Sequence, residues 1–315
     1  MEWLSDAVIH HLRDVISQPE LSATRYELLE PIGQGGMGAV YAVRDRELDR
    51  RVALKVLSVP ETSSHEAARM TEEARILARL EHPGIVPVHD MGTLPDGRIF
   101  YVMKLVDGTR LDQYAQTNPP LPDLLRVFSR ICEPIAFAHS QGIIHRDLKP
   151  ENIMVGRFGE VLVLDWGVAK IVGKARPSTQ FQAGERSQTA SGTVIGTESY
   201  MAPEQAAGAS DQVDARSDVY ALGMTLRALL ANRAIPRRLD AICRKAAATE
   251  PAGRYATVLE LAADLERYLN HEPVAAHRET IPERVSRLVL RNKALVVLVL
   301  AYLAMRALLF LFTRR

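Results

Sequence analysis

Cysteine is scarce in this chain of 315 residues, which contains only Cys132 and Cys243. The two lie far apart in helical patterns and lack metal-ligand spacing, which excludes a disulfide framework and predicts buried, reduced thiols. An excess of charge of one sign is also lacking. The formal net charge is +1, so composition offers no electrostatic argument for binding nucleic acid. No internal repeat is visible, and the length suffices for two lobes with separate cores.

The most informative stretch is His-Arg-Asp-Leu-Lys-Pro-Glu-Asn at residues 145–152, followed by Asp-Trp-Gly at 165–167. Asp147 is suited to accept the proton of a substrate hydroxyl, and Lys149, two residues later, can reach a transferring phosphate. Either triplet alone is as easily a loop ion pair or an ordinary turn. Both together, in this order and spacing, indicate phosphoryl transfer from Mg-ATP.

Two side chains in the same stretch are predicted ligands of Mg²⁺. Asn152 would offer its amide oxygen, and Asp165 emerges at the end of the short apolar strand predicted over residues 161–164. A carboxylate at that position can hold the metal against a triphosphate.

A glycine-rich segment near the start fits the pattern G-x-G-x-x-G-x-V. Glycines allow backbone N–H groups to approach phosphate oxygens. The rival interpretation is a dinucleotide-binding turn, but that motif should open a helix, whereas residues 39–43 continue as a strand. The residues predicted here to contact ATP are Ile32, Gly33, Gln34, Gly35, Gly36, Met37, Gly38 and Val40.

The strand predicted over residues 52–57 carries one lysine, Lys55, among apolar side chains. A lysine in such a place requires partners. The expected partners are the α/β-phosphates and a carboxylate on the next helix. We favour Glu73 over its competitor Glu72, because Glu73 lies one turn before Leu77 on the apolar side of the helix.

In this order, the motifs resemble those of the eukaryotic-type (Hanks-type) serine/threonine protein kinases found in bacteria, from about residue 26 to about residue 269. The resemblance implies an α+β, bilobal fold with a small sheet-rich N-lobe and a larger helical C-lobe. It also implies ATP and Mg²⁺ as cofactors and proteins as substrates. Serine/threonine specificity rests on the spacing of Asp147 and Lys149.

The resemblance assigns roles to further residues. Residues 102–106 resemble a hinge that binds adenine through backbone groups, and apolar side chains would enclose the base. The residues implied are Met103, Lys104, Val106, Ala53 and Met154. Arg254 would pair with Glu204 at the end of the activation segment, and Asp218 would brace the backbone of the catalytic loop.

The middle of the activation segment, residues 173–193, is polar and cannot bury enough apolar surface to order itself. Thr189, Ser191 and Thr193 are candidate sites of autophosphorylation, and a phosphate there could dock on Arg146. The alternative is a disordered linker with incidental hydroxyl groups.

One departure from the family pattern concerns the C-lobe. After a helix that ends near Asn232, the chain passes through Pro236 almost directly to Leu239. Family members usually have about thirty more residues here, including a helix that supports substrates. The shortened C-lobe makes a weakly active pseudokinase, acting as an ATP-binding scaffold, the alternative to an active kinase.

The C-terminal residues 294–312 have nearly the apolar length that spans a bilayer, interrupted only by Arg306. Basic residues precede them, as suits an anionic cytoplasmic surface. A helix lying on the membrane, or a buried core helix, is the alternative. Because ATP is cytosolic, we expect a single-pass protein of the cell membrane with a cytoplasmic kinase domain that contacts lipid. A homodimer is a candidate assembly.

The sequence thus predicts four parts. These are an N-terminal amphipathic helix (1–24), which is not a signal peptide, a kinase domain (25–270, with lobes 25–106 and 107–270), a basic juxtamembrane linker (271–293) and a transmembrane helix (294–312).

Overall fold

Alternating apolar side chains in the first third of the chain form an antiparallel sheet. The computed structural model describes residues 18–35, 38–57, 65–166, 170–171, 197–208, 213–284, 297–298, 301–306 and 309. Five strands lie in the order β1-β2-β3-β5-β4, and a helix, α1, follows β3. The bounds are β1 Tyr26–Gly35, β2 Gly38–Asp45, β3 Arg50–Leu57, α1 His65–Arg79, β4 Val88–Thr93 and β5 Ile99–Lys104.

The remaining described residues form a mostly helical lobe. Its helices are α2 Leu111–Gln116, α3 Leu121–Ser140, α4 Pro203–Ala206, α5 Ala215–Leu229, α6 Arg237–Ala246 and α7 Val258–Leu269. Its short strands are β6 Gly108–Arg110, β7 Ile143–Ile144, β8 Ile153–Gly156, β9 Val161–Val163 and β10 Lys170–Ile171. Turns of 3₁₀-helix occupy Pro150–Asn152, Thr197–Tyr200 and Pro251–Gly253. The two lobes match the predicted α+β architecture.

The hairpin of β1 and β2 confirms that the glycine-rich segment continues as a strand rather than opening a helix. Gly38 begins β2 and pairs with Leu57 at the end of β3. A Cβ atom on this residue would lie 2.1 Å from the carbonyl oxygen of Val56, so the position requires glycine. The strand predicted over residues 161–164 is also present, as β9.

Helices α5 and α6 of the C-lobe are joined by residues 230–236. Asp214 caps α5 by accepting a hydrogen bond from the amide of Arg216 at 2.8 Å. The two helices approach closely at Gly223, where a Cβ atom would lie 2.7 Å from the Cβ of Ala246. The short connection and this close contact show that α6 packs directly against α5.

The N-terminal segment packs on the N-lobe over the residues that are described. Leu21 is buried in the apolar cluster beneath the sheet, and Arg98 donates to the carbonyl of Gln18 at 3.0 Å. Residues 18–24 are bends, a turn and irregular backbone rather than helix, so this part of the predicted N-terminal helix is wrong. Pro19 cannot donate a backbone hydrogen bond, which disfavours a helix interior here. Most of the predicted amphipathic helix lies outside the described residues.

After α7, residues 272–284 fold back on the C-lobe. Val274 is buried in the main core, and the amides of Ala275 and Ala276 donate to Asp264 at 2.5 and 2.9 Å. Arg238 on α6 lies 3.6 Å from Glu279. Part of the segment predicted as a linker is therefore held against the domain.

Most of the predicted transmembrane segment lies outside the described residues. Residues 297–298, 301–306 and 309 are helical. Within the described part of the chain, no helix is both long enough and apolar enough to cross a membrane.

Candidate active site

A cavity of about 500 Å³ lies between the two lobes. One end is lined by apolar side chains, and the other by Lys55, Asn152 and Asp165. The predicted ATP-contacting residues found in its lining are Ile32, Gly33, Gln34, Gly38, Val40, Ala53, Lys55, Met103, Lys104, Val106 and Met154. Gly35 is the last residue of β1, while Gly36 and Met37 lie outside the described residues.

Lys55 and Glu73 form a nearly buried ion pair at the polar end of the cavity. The Lys55 Nζ lies 2.8 Å from Glu73 Oε1 and 3.0 Å from Oε2. Asp165 Oδ1 is 3.4 Å from the same nitrogen. Glu73 is 2% exposed, whereas Glu72 is half-buried, so the helix turns the expected carboxylate toward the lysine.

Electrostatics keep Lys55 charged in this setting. Burial alone would lower the pKa of Lys55, but the carboxylates of Glu73 and Asp165 outweigh it and raise the pKa above the ordinary value. Burial raises the pKa of Glu73, and the positive charge of Lys55 offsets this rise only in part. The pair therefore depends on both charges being present.

The catalytic loop brings together the three residues predicted from its motif. Lys149 Nζ lies 3.0 Å from Asp147 Oδ2, and Asn152 Nδ2 donates to the same oxygen at 3.0 Å. Asn152 Nδ2 also donates to the Asp147 carbonyl at 2.9 Å, which orients the amide oxygen of Asn152 away from Asp147. Among the described residues, both contacts are to Oδ2, and the Asp147 side chain is 28% exposed, so a substrate hydroxyl can reach it.

Asp218 braces the backbone of this loop from beneath. Its carboxylate accepts hydrogen bonds from the amides of His145 at 2.8 Å and Arg146 at 2.9 Å. His139 Nε2 lies 2.7 Å from Oδ2 of the same group. Full burial would raise the pKa of Asp218, but these hydrogen bonds, led by that of His139, outweigh burial and lower the pKa.

Two non-glycine residues of the site have left-handed backbone conformations. The φ angles are 72° at Arg146 and 58° at Asp165. Such angles are unfavourable for residues with a Cβ atom and persist where the surroundings impose them. Asp218 imposes the first through the Arg146 amide. His145 lies between the two segments. Its ring packs at a tilt of 51° against that of Trp166, with centroids 4.5 Å apart, and its Nε2 lies 3.1 Å from the Leu164 carbonyl oxygen.

The family model of the protein kinase domain matches residues 26–269. The chain belongs to the protein kinase family. Its fold is the bilobal kinase fold, and members of this family use ATP and Mg²⁺. The family and the fold predicted from the order of the motifs are therefore confirmed.

Several bacterial kinases are similar to this domain. Serine/threonine-protein kinase PknB of Mycobacterium tuberculosis is 37% identical over 308 residues, which cover 87% of this chain and 47% of that protein. Serine/threonine-protein kinase PknD of Chlamydia trachomatis is 34% identical over 306 residues, covering 79% of this chain and 32% of that protein. The chain thus spans half or less of the length of these relatives.

A solved structure agrees in fold. The crystal structure of the Mycobacterium tuberculosis PknI kinase domain aligns with a TM-score of 0.57 and 28% sequence identity. The alignment covers 78% of this chain and 96% of that one. These relatives support a kinase domain of the serine/threonine type.

The end of the activation segment is anchored in the kinase core. Arg254 donates to Glu204 through two parallel bonds, Nη1 to Oε1 at 2.7 Å and Nη2 to Oε2 at 2.8 Å. Ser217 on α5 donates to Glu204 Oε1 at 2.7 Å. Burial would raise the pKa of Glu204, but the hydrogen bonds from Arg254 and Ser217 outweigh it and lower the pKa to about 2.

Sequence reasoning missed several residues of the site. Gln205 links the activation segment to the catalytic loop, since its Nε2 donates to the Arg146 carbonyl at 3.0 Å and its Oε1 accepts from the Ala202 amide at 3.3 Å. The cavity lining also includes residues to which the motifs assigned no contact with ATP, namely Leu77, Val86, Tyr101, Leu105, Glu151 and Leu164. The positions of these residues depend on strand register and on how the lobes pack, which a short sequence motif does not indicate.

The candidate phosphosites Thr189, Ser191 and Thr193 lie outside the described residues. The same is true of Gly167, which follows Asp165 and Trp166.

Proposed function

We propose that this chain is an ATP-dependent serine/threonine protein kinase that transfers the γ-phosphoryl group of ATP to protein hydroxyls. The observation that carries the proposal is the meeting of Asp147, Lys149 and Asn152 beside a cavity whose polar end holds Lys55 and Asp165. The similarity to PknB and PknD, both serine/threonine-protein kinases by name, supports the choice of serine and threonine.

The cavity fits Mg-ATP on the chemistry of its lining. Apolar side chains suited to adenine line one end, and the backbone of Leu105 and Val106 lies beyond the last paired residue of β5. Backbone groups there are not committed to the sheet and can bind the base. At the other end, Lys55 supplies positive charge, while Asn152 and Asp165 supply the oxygen ligands that Mg²⁺ prefers.

Bound Mg-ATP supplies the phosphoryl group and a cation that neutralises charge during transfer. The protein positions the groups that take part in the transfer. Asp147 orients the substrate hydroxyl and accepts its proton, while Lys149 places positive charge beside the reacting atoms. Glu73 fixes the direction of Lys55. Asp218 holds the loop backbone, so that Asp147 does not need to reorganise during the reaction.

Phosphate transfer from labelled ATP with Mg²⁺ tests the proposal, with the protein itself and a generic basic protein as acceptors. Asp147→Asn should lower kcat by about 10²-fold or more, because the proton acceptor is lost. Asp49→Asn is the matched control, since Asp49 is 76% exposed and lies on the N-lobe surface. A wild type that binds ATP but labels neither acceptor would favour the scaffold alternative.

The shortened C-lobe is a separate part of the proposal. Residues 230–236 alone join α5 to α6, which supports the absence of an intervening substrate-supporting helix. The catalytic residues lie elsewhere, so we expect activity to be retained and the choice of protein substrate to be altered.

We propose that autophosphorylation at Thr189, Ser191 or Thr193 raises activity, with Arg146 as the docking cation. The proposal rests on the hydroxyl groups shortly before Gly196 and on the known charge of a phosphate group. Replacing all three residues by alanine should lower the rate of transfer to a second protein. Mass spectrometry of the wild type should find phosphate at one or more of them, and unchanged activity of the triple variant would refute the idea.

Four parts are proposed, namely the N-terminal segment (1–24), the kinase domain (25–270), the basic segment (271–293) and a membrane-spanning helix (294–312). The apolar run interrupted only by Arg306 supports the last, as do the basic residues before it. The kinase domain would then face the cytoplasm.

A homodimer is proposed as the assembly, to be tested by light scattering.

Membrane extraction tests the last helix. The full chain should remain with membranes after alkaline carbonate treatment, whereas a chain ending at residue 284 should be soluble. Leu303→Arg adds a second charge to the apolar run and should reduce membrane retention. Release of the full chain by carbonate would instead indicate a helix lying on the surface.

A further inference from the structure

Tyr101 occupies a position in the sheet that couples it to the ion pair of the active site. It lies on β5 directly opposite Lys55 on β3 in the antiparallel register. Residues that pair in this way project their side chains on the same face of the sheet. The Lys55 Nζ accordingly lies 5.7 Å from the centre of the Tyr101 ring.

The hydroxyl of Tyr101 reaches past the lysine to helix α1. It donates to Glu73 Oε1 at 3.0 Å, and both side chains are almost fully buried, with 1% and 2% exposure. Glu73 therefore receives donors from two strands, since Lys55 contacts both carboxylate oxygens. A buried carboxylate is costly unless several donors satisfy it, and Tyr101 supplies the donor that is not a cation.

We propose that Tyr101 is a positioning residue, which holds Glu73 and with it helix α1 in the orientation that directs Lys55 toward the nucleotide. This inference rests on the proposed binding of ATP at the cavity. It adds a residue that no motif of the chain marks.

The geometry explains why a second donor to Glu73 is useful. Lys55 has two carboxylate partners, because Asp165 Oδ1 lies 3.4 Å from its Nζ, and phosphate groups would add further competition. When Lys55 is drawn toward those partners, its hold on Glu73 weakens. The bond from Tyr101 does not depend on the position of Lys55, so it keeps α1 docked on the sheet.

The hydroxyl remains a donor at any pH used for an assay. Burial, followed by the negative charge of Glu73, raises the pKa of Tyr101 well above its ordinary value. The charged groups that face this hydroxyl are Glu73 from α1, Lys55 from β3 and Asp165 after β9.

The simpler interpretation is that Tyr101 only fills space, because its ring belongs to the main apolar core. Tyr101→Phe separates the two, since phenylalanine keeps the ring and removes the hydroxyl. If the ring only fills space, nucleotide binding should be unchanged in this variant. If the hydroxyl positions Glu73, nucleotide binding should be weaker.

The experiment measures the Kd of a non-hydrolysable Mg-ATP analogue by calorimetry in the full chain. Calorimetry does not require turnover, so it remains informative even if the wild type proves to be an inactive scaffold. Tyr101→Phe should raise this Kd by about tenfold, the factor expected for losing a hydrogen bond to a charged group. Where the wild type is active, KM for ATP should rise while KM for the protein substrate stays unchanged.

Tyr255→Phe is the matched control. Tyr255 is also 1% exposed and donates to a buried carboxylate, Asp264, at 2.7 Å, but in the C-lobe. It should lower thermal stability without changing the Kd of the analogue. Equal stability losses for both variants, with the Kd of Tyr101→Phe within twofold of the wild type, would overturn the proposal.

A double-mutant cycle identifies the route of the effect. In a Glu73→Gln background, adding Tyr101→Phe should change the Kd by less than about twofold, because the charged acceptor is already lost. A tenfold effect that persists in this background would show that Tyr101 acts without Glu73 and would contradict the inference.

Discussion

Arg254 and Glu204 form a bidentate ion pair in the C-lobe, with the arginine side chain 0% exposed and the glutamate side chain 6% exposed. The arginine also donates to the carbonyls of Ala248, Arg216 and Thr249. Removing one partner of such a pair leaves a buried charge unpaired. The pair fastens the end of the activation segment to the loop between α6 and α7.

Arg254→Ala should therefore lower the free energy of unfolding by about 3–5 kcal/mol. Urea denaturation, monitored by circular dichroism, measures this change. Arg244→Ala is the control, because Arg244 pairs with Asp240 on the exposed face of α6 and should cost no more than about 0.5 kcal/mol. Similar losses for the two variants would contradict the structural role assigned to Arg254.

The same pair predicts a dependence of stability on acid. The folded pKa of Glu204 is about 2, below its ordinary value of 4.5. The folded state then binds the proton less readily than the unfolded state, so the stabilisation is complete above about pH 4.5 and is lost as the pH falls toward 2. The urea midpoint of the wild type should drop across this interval more steeply than that of Glu204→Gln. Parallel pH profiles for the two proteins would argue against the lowered pKa.

Much of the active site could be predicted from sequence because its residues lie in short contiguous motifs. Asp147, Lys149 and Asn152 are within one loop, and their mutual contacts follow from a spacing of a few residues. The choice of Glu73 over Glu72 needed only helical periodicity. Local patterns of this kind fix which side chains can meet.

Residues whose partners are distant in the chain were not predictable in the same way. Tyr101 meets Glu73 only because of the register between β3 and β5, and Gln205 meets Arg146 only because α4 packs against the catalytic loop. Neither residue belongs to a pattern whose chemistry requires it. Their roles depend on tertiary packing, which periodicity does not specify.

Asp218 should be essential to the geometry of the catalytic loop. Asp218→Asn removes one acceptor and turns an amide donor toward the backbone N–H groups of His145 and Arg146. We expect a loss of roughly 2–4 kcal/mol in the free energy of unfolding and a fall in kcat of about 10²-fold.

The control for this prediction lies on the same helix. Asp214→Asn alters the cap of α5, which Asp214 forms with the Arg216 amide, and should change stability by about 1 kcal/mol or less with kcat unaffected. Steady-state phosphate transfer and urea denaturation measure both variants. A normal kcat for Asp218→Asn would show that the loop keeps its geometry without this carboxylate.

The segment after α7 depends on one buried carboxylate. Asp264 accepts from the hydroxyl of Tyr255 and from the amides of Ala275 and Ala276, and Arg267 approaches it at 3.3 Å. Asp264→Ala leaves these amides without their acceptor, so residues 272–284 should detach from the C-lobe. The variant should be cleaved by trypsin after Arg278 several times faster than the wild type, as followed by mass spectrometry. Glu266→Ala on the same helix should leave the rate unchanged. Equal cleavage of Asp264→Ala and wild type would mean that Val274 and the contact of Arg238 with Glu279 hold the segment without Asp264.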